Sequence, residues 1–265
     1  MPRRARVIVT TYERPHLLRL ALRAWRRQTF RDLALTVADD GSGPETTEII
    51  RRFAADAPFP VDHVRWEHDG YRRAGILNES VRRSAGEPLL LLTDGDCVPP
   101  ARFLERHVAV HGPRSFAVGG AYKIDEAPSA GLTEADIDAG RHEALRTIGG
   151  RLDLWWRAFK CWRRTAFVRP PRPKVIGLNM AVDRSVFEDV NGFDEAFVGY
   201  GLEDCDLADR LVAATPPARL YNLYGRADTI HLWHPMLAEA PQRPNRAYYE
   251  SERPVRCRKG LVNEG

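Results

Sequence analysis

Three short stretches of the chain hold side chains able to bind a cation or move a proton. In Asp94-Gly95-Asp96, two carboxylates stand one residue apart on a tight turn. Such a pair can face one hard cation, or divide between a cation and a ligand hydroxyl, and its oxygen donors suit Mg²⁺ or Mn²⁺. The tripeptide also occurs in plain surface turns, so its spacing alone leaves both readings open. The second stretch runs Asn191-Gly192-Phe193-Asp194-Glu195 and then Gly199-Tyr200-Gly201-Leu202-Glu203-Asp204-Cys205-Asp206-Leu207. On a helix starting near Glu203, both Glu203 and Asp204 fall in the first turn, where the helix dipole favours carboxylates, and Asp206 pairs with Arg210 one turn on. The bland reading is a solvated helix end with capping acids. The glycines around the acids, which admit close backbone approach, favour a site. The third stretch, His231-Leu232-Trp233-His234, is either an aromatic loop or, beside carboxylates, a source of imidazole for a Mn²⁺-like ion.

The elements around these stretches give them a common edge. Residues 6–10, 33–38, 61–66 and 89–92 read as strands, the last as four consecutive leucines ending at the acids. Residues 15–28, those following Pro44, and 73–84 read as the intervening helices. Strand and helix alternation of this kind predicts right-handed crossovers and one Rossmann-like, mainly parallel sheet flanked by helices, an α/β fold. Ligands of such sheets bind beyond the carboxyl ends of the strands, where the polar clusters after Val9, Ala38 and Leu92 fall. From 123 to about 174 the alternation stops. There Leu152, Trp155, Trp156, Phe159 and Trp162 recur at three- and four-residue spacing among Arg151, Arg157, Lys160, Arg163 and Arg164, the pattern of a basic amphipathic helix. Residues 169–173 read as a loop, another αβ-like stretch follows to about 233, and 236–265 reads as a docked or partly disordered arm.

Charge is unevenly placed. The chain of 265 residues carries a net +4, and of its 40 basic residues 36 are Arg. Residues 141–174 hold ten basic and two acidic residues, a local +8, which leaves −4 for the rest. That distribution excludes a uniformly basic nucleic-acid binder. A content of 43% apolar residues excludes wholesale disorder and suffices for a sizeable core. No apolar run reaches 18 residues, the N-terminus lacks the apolar core of a signal peptide, and the four scattered cysteines suit a reduced cytoplasm.

Six motifs occur in register: Val-Ile-Val-Thr-Thr-Tyr-Glu-Arg-Pro at 7–15, Val-Ala-Asp-Asp-Gly-Ser at 37–42, Arg-Arg-Ala-Gly-Ile-Leu-Asn at 72–78, Thr-Asp-Gly-Asp at 93–96, the Gly-Phe-Asp-Glu to Glu-Asp-Cys-Asp-Leu run, and His-Leu-Trp-His. In this order they resemble the inverting glycosyltransferases of the GT-A fold, family 2. The C-terminal half is similar to the β-1,4-galactosyltransferase and polypeptide N-acetylgalactosaminyltransferase type. The resemblance implies one catalytic domain over 1–235, with an acceptor-side helical insertion at about 123–174. It implies a nucleotide site formed by Thr10, Thr11, Tyr12 and Glu13, with Asp40 holding the base and Arg73 on base or diphosphate. It implies that Asp96 and His231 hold Mn²⁺ or Mg²⁺, that Asp94 leans to the ribose or donor sugar, and that His234 lies nearer the diphosphate, the two histidine roles being exchangeable. Asn179 matches the loop under the donor sugar, Asp204 the catalytic carboxylate, and Glu203 a partner for acceptor or sugar hydroxyls. Tyr200 stands where the galactosyltransferase relatives carry Trp, which leaves the sugar platform open.

The implied partners are a nucleotide sugar, UDP-linked by preference, and a sugar, lipid-linked or small-molecule hydroxyl acceptor. Two other classes compete. A sugar nucleotidyltransferase would open with a Gly-rich phosphate loop where this chain has Thr10-Thr11-Tyr12-Glu13-Arg14-Pro15, and a non-catalytic binding module would have no need of the acids at 94, 96, 203 and 204. The basic aromatic helix keeps three readings: a lid over an anionic acceptor, a peripheral contact with a lipid surface, or a core-packing helix with its arginines in water.

Overall fold

The computed structural model describes residues 5–168, 171–235 and 244–263. Its first half alternates as the sequence predicts: β1 (Ala5–Thr11), α1 (Pro15–Trp25), β2 (Leu33–Asp39), α2 (Pro44–Asp56), β3 (Val61–Arg65), α3 (Arg73–Arg82) and β4 (Leu89–Asp94). Proline opens both α1 and α2, where its missing N–H is one the helix start could not use anyway. The turn from β2 into α2 needs Gly41, at φ +93°, because a Cβ there would strike the backbone nitrogen of His68.

Short elements follow: β5 (Cys97–Val98), α4 (Phe103–Val108), β6 (Ser115–Val118) and β7 (Ala121–Lys123). The chain is then helical through α5 (Glu126–Ala130), α6 (Glu134–Asp138), a 3₁₀ turn (Arg141–Leu145) and the 20-residue α7 (Ile148–Phe167). The last elements are β8 (Asn179–Asp183), α8 (Arg184–Asp189), α9 (Glu203–Ala213), β9 (Arg219–Asn222), β10 (Thr229–His231) and α10 (Arg246–Glu250).

Seven strands form one sheet in the order β3-β2-β1-β4-β8-β6-β9. The first four are mutually parallel, β8 runs antiparallel between β4 and β6, and β9 is parallel to β6. Ile8, Leu90 and Leu92 face one apolar cluster, and Val7, Val9, Leu89 and Leu91 face the other. Burial on both faces is why these strands read as unbroken apolar runs. The register sets the functional edge: Thr10 lies opposite both Ala38 and Asp94, and Thr11 opposite Asp39. Because β8 is antiparallel, its first residue, Asn179, arrives at the same edge opposite Thr93.

A second, three-stranded sheet in the order β5-β10-β7 adds to the one sheet foreseen. It pairs His231 with Cys97, the residue after Asp96, and Leu232 N–H donates to the Asp96 carbonyl at 2.9 Å.

Two regions differ from expectation or sharpen it. α7 buries Leu154 and Cys161 against the body, while its aromatic face points outward, so it is not a core-packing helix with solvated arginines. Of the C-terminal arm, residues 244–263 are docked. Asn191 Nδ2 donates to the carbonyls of Cys257 and Val262, Tyr248 Oη to Asp194, and Arg253 Nε to Asp206, each at 2.8–2.9 Å. Residues 236–243, and 169–170 of the predicted loop, lie outside the described residues.

Candidate active site

The loop after β1 meets the ends of β2 and β4 here. Gly95 N–H donates to the Thr10 carbonyl at 2.7 Å, which holds the Asp94-Gly95-Asp96 turn against the first strand. Asp94 Oδ1 accepts from Thr10 Oγ1 at 2.6 Å and from Arg73 Nη2 at 2.9 Å. Arg73, the first residue of α3, is buried; Nη2 also donates to the Gly177 carbonyl at 2.9 Å, and Nη1 lies 3.6 Å from Glu203 Oε1. Burial works against its charge, but the fields of Asp94, Tyr71 and Glu203 outweigh it and keep the guanidinium protonated. The β4 turn, α3 and the start of α9 thus share one buried cation.

At the head of α9, Leu202 takes a left-handed φ of +76°, and Glu203 and Asp204 open the helix. Glu203 is buried, and its Oε2 has no hydrogen-bond partner. Burial first, then the neighbouring Asp204, push its carboxyl above the usual carboxylate range despite Arg73. Asp204 is half-buried, and its Oδ1 accepts from the Cys205 N–H at 2.8 Å. One turn on, Asp206 Oδ2 accepts from Arg210 Nε at 2.7 Å, the expected pair.

Asp96 turns to the other side, toward the second sheet. Its Oδ1 lies 3.7 Å from His231 Nε2 and its Oδ2 3.1 Å from His234 Nε2. Among the described residues, Asp96, His231 and His234 form one group whose possible ligand atoms all lie within 4.8 Å of one another. Burial opposes the Asp96 charge, yet the His234 hydrogen bond and the fields of His231, His234 and Arg14 hold its pKa low. Burial lowers the pKa of His231; the bond to Asp96 raises that of His234. One carboxylate and two imidazoles are a fit donor set for Mn²⁺, and less so for Mg²⁺, which prefers oxygen. The division of the histidines between metal and diphosphate is not one the geometry makes, since His234 approaches Asp96 more closely than His231 does.

The residues expected on the nucleotide side fall on the same edge, in different states. Asp40 is buried; Oδ2 accepts weakly from Arg72 N–H at 3.4 Å, Oδ1 has no hydrogen-bond partner, and burial raises its pKa. Asp40 N–H donates to the Thr11 carbonyl at 3.1 Å, joining the two loops. Tyr12 stacks on His68, with ring centroids 4.1 Å apart. Glu13 Oε1 accepts from Gly43 N–H at 2.6 Å, so its carboxylate clasps the two loops together. Asn179 departs most from its expected role. Its Nδ2 donates to the carbonyls of Gly120 and Ala227, both at 2.8 Å, and its Oδ1 lies 3.0 Å from His107 Nε2. With no exposed surface left, it ties the floor of the site and does not face a sugar.

Three residues outside the expected set also stand at the site: Arg14, whose Nη1 donates to Asp96 Oδ2 at 2.9 Å, His68 under Tyr12, and Tyr71 near Arg73 and Glu203. Arg14 had a signal, being next to the loop residues singled out; His68 and Tyr71 stand on a connection with no motif.

The mainly parallel sheet flanked by helices is the α/β fold of GT-A glycosyltransferases. Residues 6–190 match the family described as glycosyl transferase family 2, and the chain belongs to that family. Residues 157–231 also match the description "N-terminal domain of galactosyltransferase". A validoxylamine A glucosyltransferase of Streptomyces hygroscopicus subsp. jinggangensis is 29% identical over 219 residues, 78% of this chain and 51% of that protein. A chondroitin synthase of Escherichia coli is 25% identical over 225 residues, 77% of this chain and 32% of that protein. The chain thus spans about half or less of these relatives. Among solved structures, the mannosyltransferase PcManGT from Pyrobaculum calidifontis, in complex with GDP-Man and Mn²⁺, matches with a TM-score of 0.57 at 20% identity, covering 93% of this chain and 59% of that one. S. aureus TarS in complex with UDP-GlcNAc matches with a TM-score of 0.60 at 13% identity, over 88% and 60%. These structural likenesses speak for the fold.

Proposed function

We propose that this glycosyltransferase moves a sugar from a nucleotide sugar, a UDP-sugar by preference, to an acceptor hydroxyl with inversion at the anomeric carbon, release of the nucleoside diphosphate, and the aid of Mn²⁺. One observation carries the reading: a group able to hold a divalent cation (Asp96, His231, His234) lies two residues from Asp94, which shares Arg73 with the Glu203–Asp204 helix start. A sugar–diphosphate bond breaks only if the charge growing on the diphosphate is neutralised. Mn²⁺, when bound, supplies that as a Lewis acid. Arg73 holds Asp94 toward the donor, and Asp40, whose Oδ1 lies 3.9 Å from Arg72 Nη2 and has no hydrogen-bond partner, accepts from the base edge. Asp204, half-open to the cleft, takes the acceptor proton as the hydroxyl attacks opposite the leaving group, so an α-linked donor gives a β-linked product. Glu203, held partly neutral by burial, can donate to a sugar hydroxyl.

The named functions of the relatives, glucosyl transfer to validoxylamine A and chondroitin synthesis, support a hydroxyl acceptor without choosing among sugar, lipid-linked and small-molecule classes. The test is a thermal-shift screen of UDP-, GDP- and dTDP-sugars with Mn²⁺ present. We expect one donor to stabilise the fold, by about 2.7 kcal/mol at a hundredfold excess over Kd; a panel without any shift would overturn the reading.

A further inference from the structure

α7 has three faces. Leu154 and Cys161 meet the body. Lys160 and Arg164 lie on one side with Arg157, which pairs with Asp153 at 2.7 Å. The third face carries Ile148, Leu152, Trp155, Trp156, Phe159, Trp162 and Phe167, each between 37% and 79% exposed. From Ile148 to Trp162 their spacing of three, four and seven residues places them on one stripe, which Phe167 extends and Arg163, four residues from both Phe159 and Phe167, interrupts. The rings touch one another in series: Trp156 and Phe159 stack at 5.4 Å between centroids, Phe159 and Trp162 meet tilted at 5.8 Å, and Trp162 and Phe167 meet edge to face at 5.3 Å. Folded chains seldom leave an apolar patch of this size to water unless something covers it.

The covering partner has to satisfy two demands together. It must accept aromatic rings in depth, and it must welcome a helix with five cations and one acid. Beside Trp155 the flank of the helix opens into a cleft of about 610 Å³ lined by Arg146, Arg151 and Arg226, which extends the cationic rim. A second copy of the chain would bring these cations against themselves. A soluble anionic sugar would answer the charge and leave the rings in water. A bilayer with anionic headgroups meets both demands, since Trp and Phe settle at the acyl boundary while Lys and Arg reach the phosphates.

We propose that α7 docks this protein on an anionic lipid surface, with the aromatic stripe inserted and the flanking arginines and Lys160 on the headgroups. No described helix is long and apolar enough to cross a membrane, so the contact is peripheral. The proposal stands apart from the reaction assigned above, because donor binding by the Asp96 and Asp204 sites uses none of these side chains.

Flotation with vesicles tests it: phosphatidylcholine alone, and phosphatidylcholine mixed with phosphatidylglycerol, at low and high salt. We expect flotation with the anionic vesicles, weakened by salt, and quenching of the tryptophan fluorescence by brominated acyl chains. The Trp155→Ser/Phe159→Ser/Trp162→Ser triple variant and the Lys160→Glu/Arg163→Glu/Arg164→Glu triple variant should each lose at least about tenfold in partition, with melting curves nearly unchanged because none of the six side chains is buried. Quenching in the unaltered protein reports insertion without any variant. Absence of flotation, equal binding to neutral vesicles, binding indifferent to the aromatic changes, or a dimer sealed by the same stripe would each overturn the proposal.

Discussion

Asp204 and Glu203 are neighbours in sequence and opposites in environment. Asp204 is half-open and Glu203 buried with one oxygen unpartnered. Asp204→Asn keeps the shape and removes the base, so transfer should fall by roughly 10²–10⁴-fold with nucleotide and Mn²⁺ affinity nearly intact, a split that kinetics and calorimetry read together. Glu203 gives a pH prediction. Its folded pKa is raised by burial, so the folded state binds the extra proton and the stability this contributes is present below the ordinary glutamate pKa and lost as pH rises through the folded value. Glu203→Gln should therefore melt with the parent at pH 4 and above it at pH 8; equal differences at both pH values would contradict the burial account. At the cation site, replacing either His231 or His234 by Ala should raise the Mn²⁺ needed for half-activity by more than the roughly 10–100-fold that outer-shell partners are worth. A large effect from only one of them would restore the division of roles that the geometry does not make.

Among the elements, Asn179 illustrates how one side chain can join three. It links β8 to the β6–β7 and β9–β10 connections and to α4 through Gly120, Ala227 and His107. Asn179→Ala leaves the Ala227 carbonyl and the His107 imidazole without that partner, while the Gly120 carbonyl keeps the Thr229 N–H, so a denaturant melt should show a loss of about 1–3 kcal/mol for each of the first two groups. If Asn179 instead faced the sugar, donor affinity would fall and the melt would not move. The strands of the first half were legible because burial on both faces writes apolar runs into β1, β2 and β4, and the acids follow them directly. The head of α9 was legible from its glycines and the Asp206–Arg210 spacing. The small sheet was not, because β5 and β10 have two and three residues and their pairing is decided by tertiary contacts rather than propensity. Nor was the orientation of α7, since periodicity gives a helix its faces without saying which one meets protein.

Over the whole molecule, a body of net −4 carries a +8 segment over residues 141–174. The arm at 244–263 closes the body behind the α9 acids: Arg253 and Arg210 share the buried Asp206. Arg253→Ala should cost about 2 kcal/mol, a fall of roughly 4–8 °C in Tm for a chain this size, without changing nucleotide affinity. The proposed reaction needs the fold to bring a cation site and a carboxylate base to the two sides of one sugar–diphosphate bond. Calorimetric titration of the intact chain with the nucleotide diphosphate that gives the largest thermal shift, once with Mn²⁺ and once with EDTA, tests that most directly. We expect saturable binding with Mn²⁺ that EDTA abolishes and that Asp96→Ala also removes. Equal binding with and without the metal would contradict it.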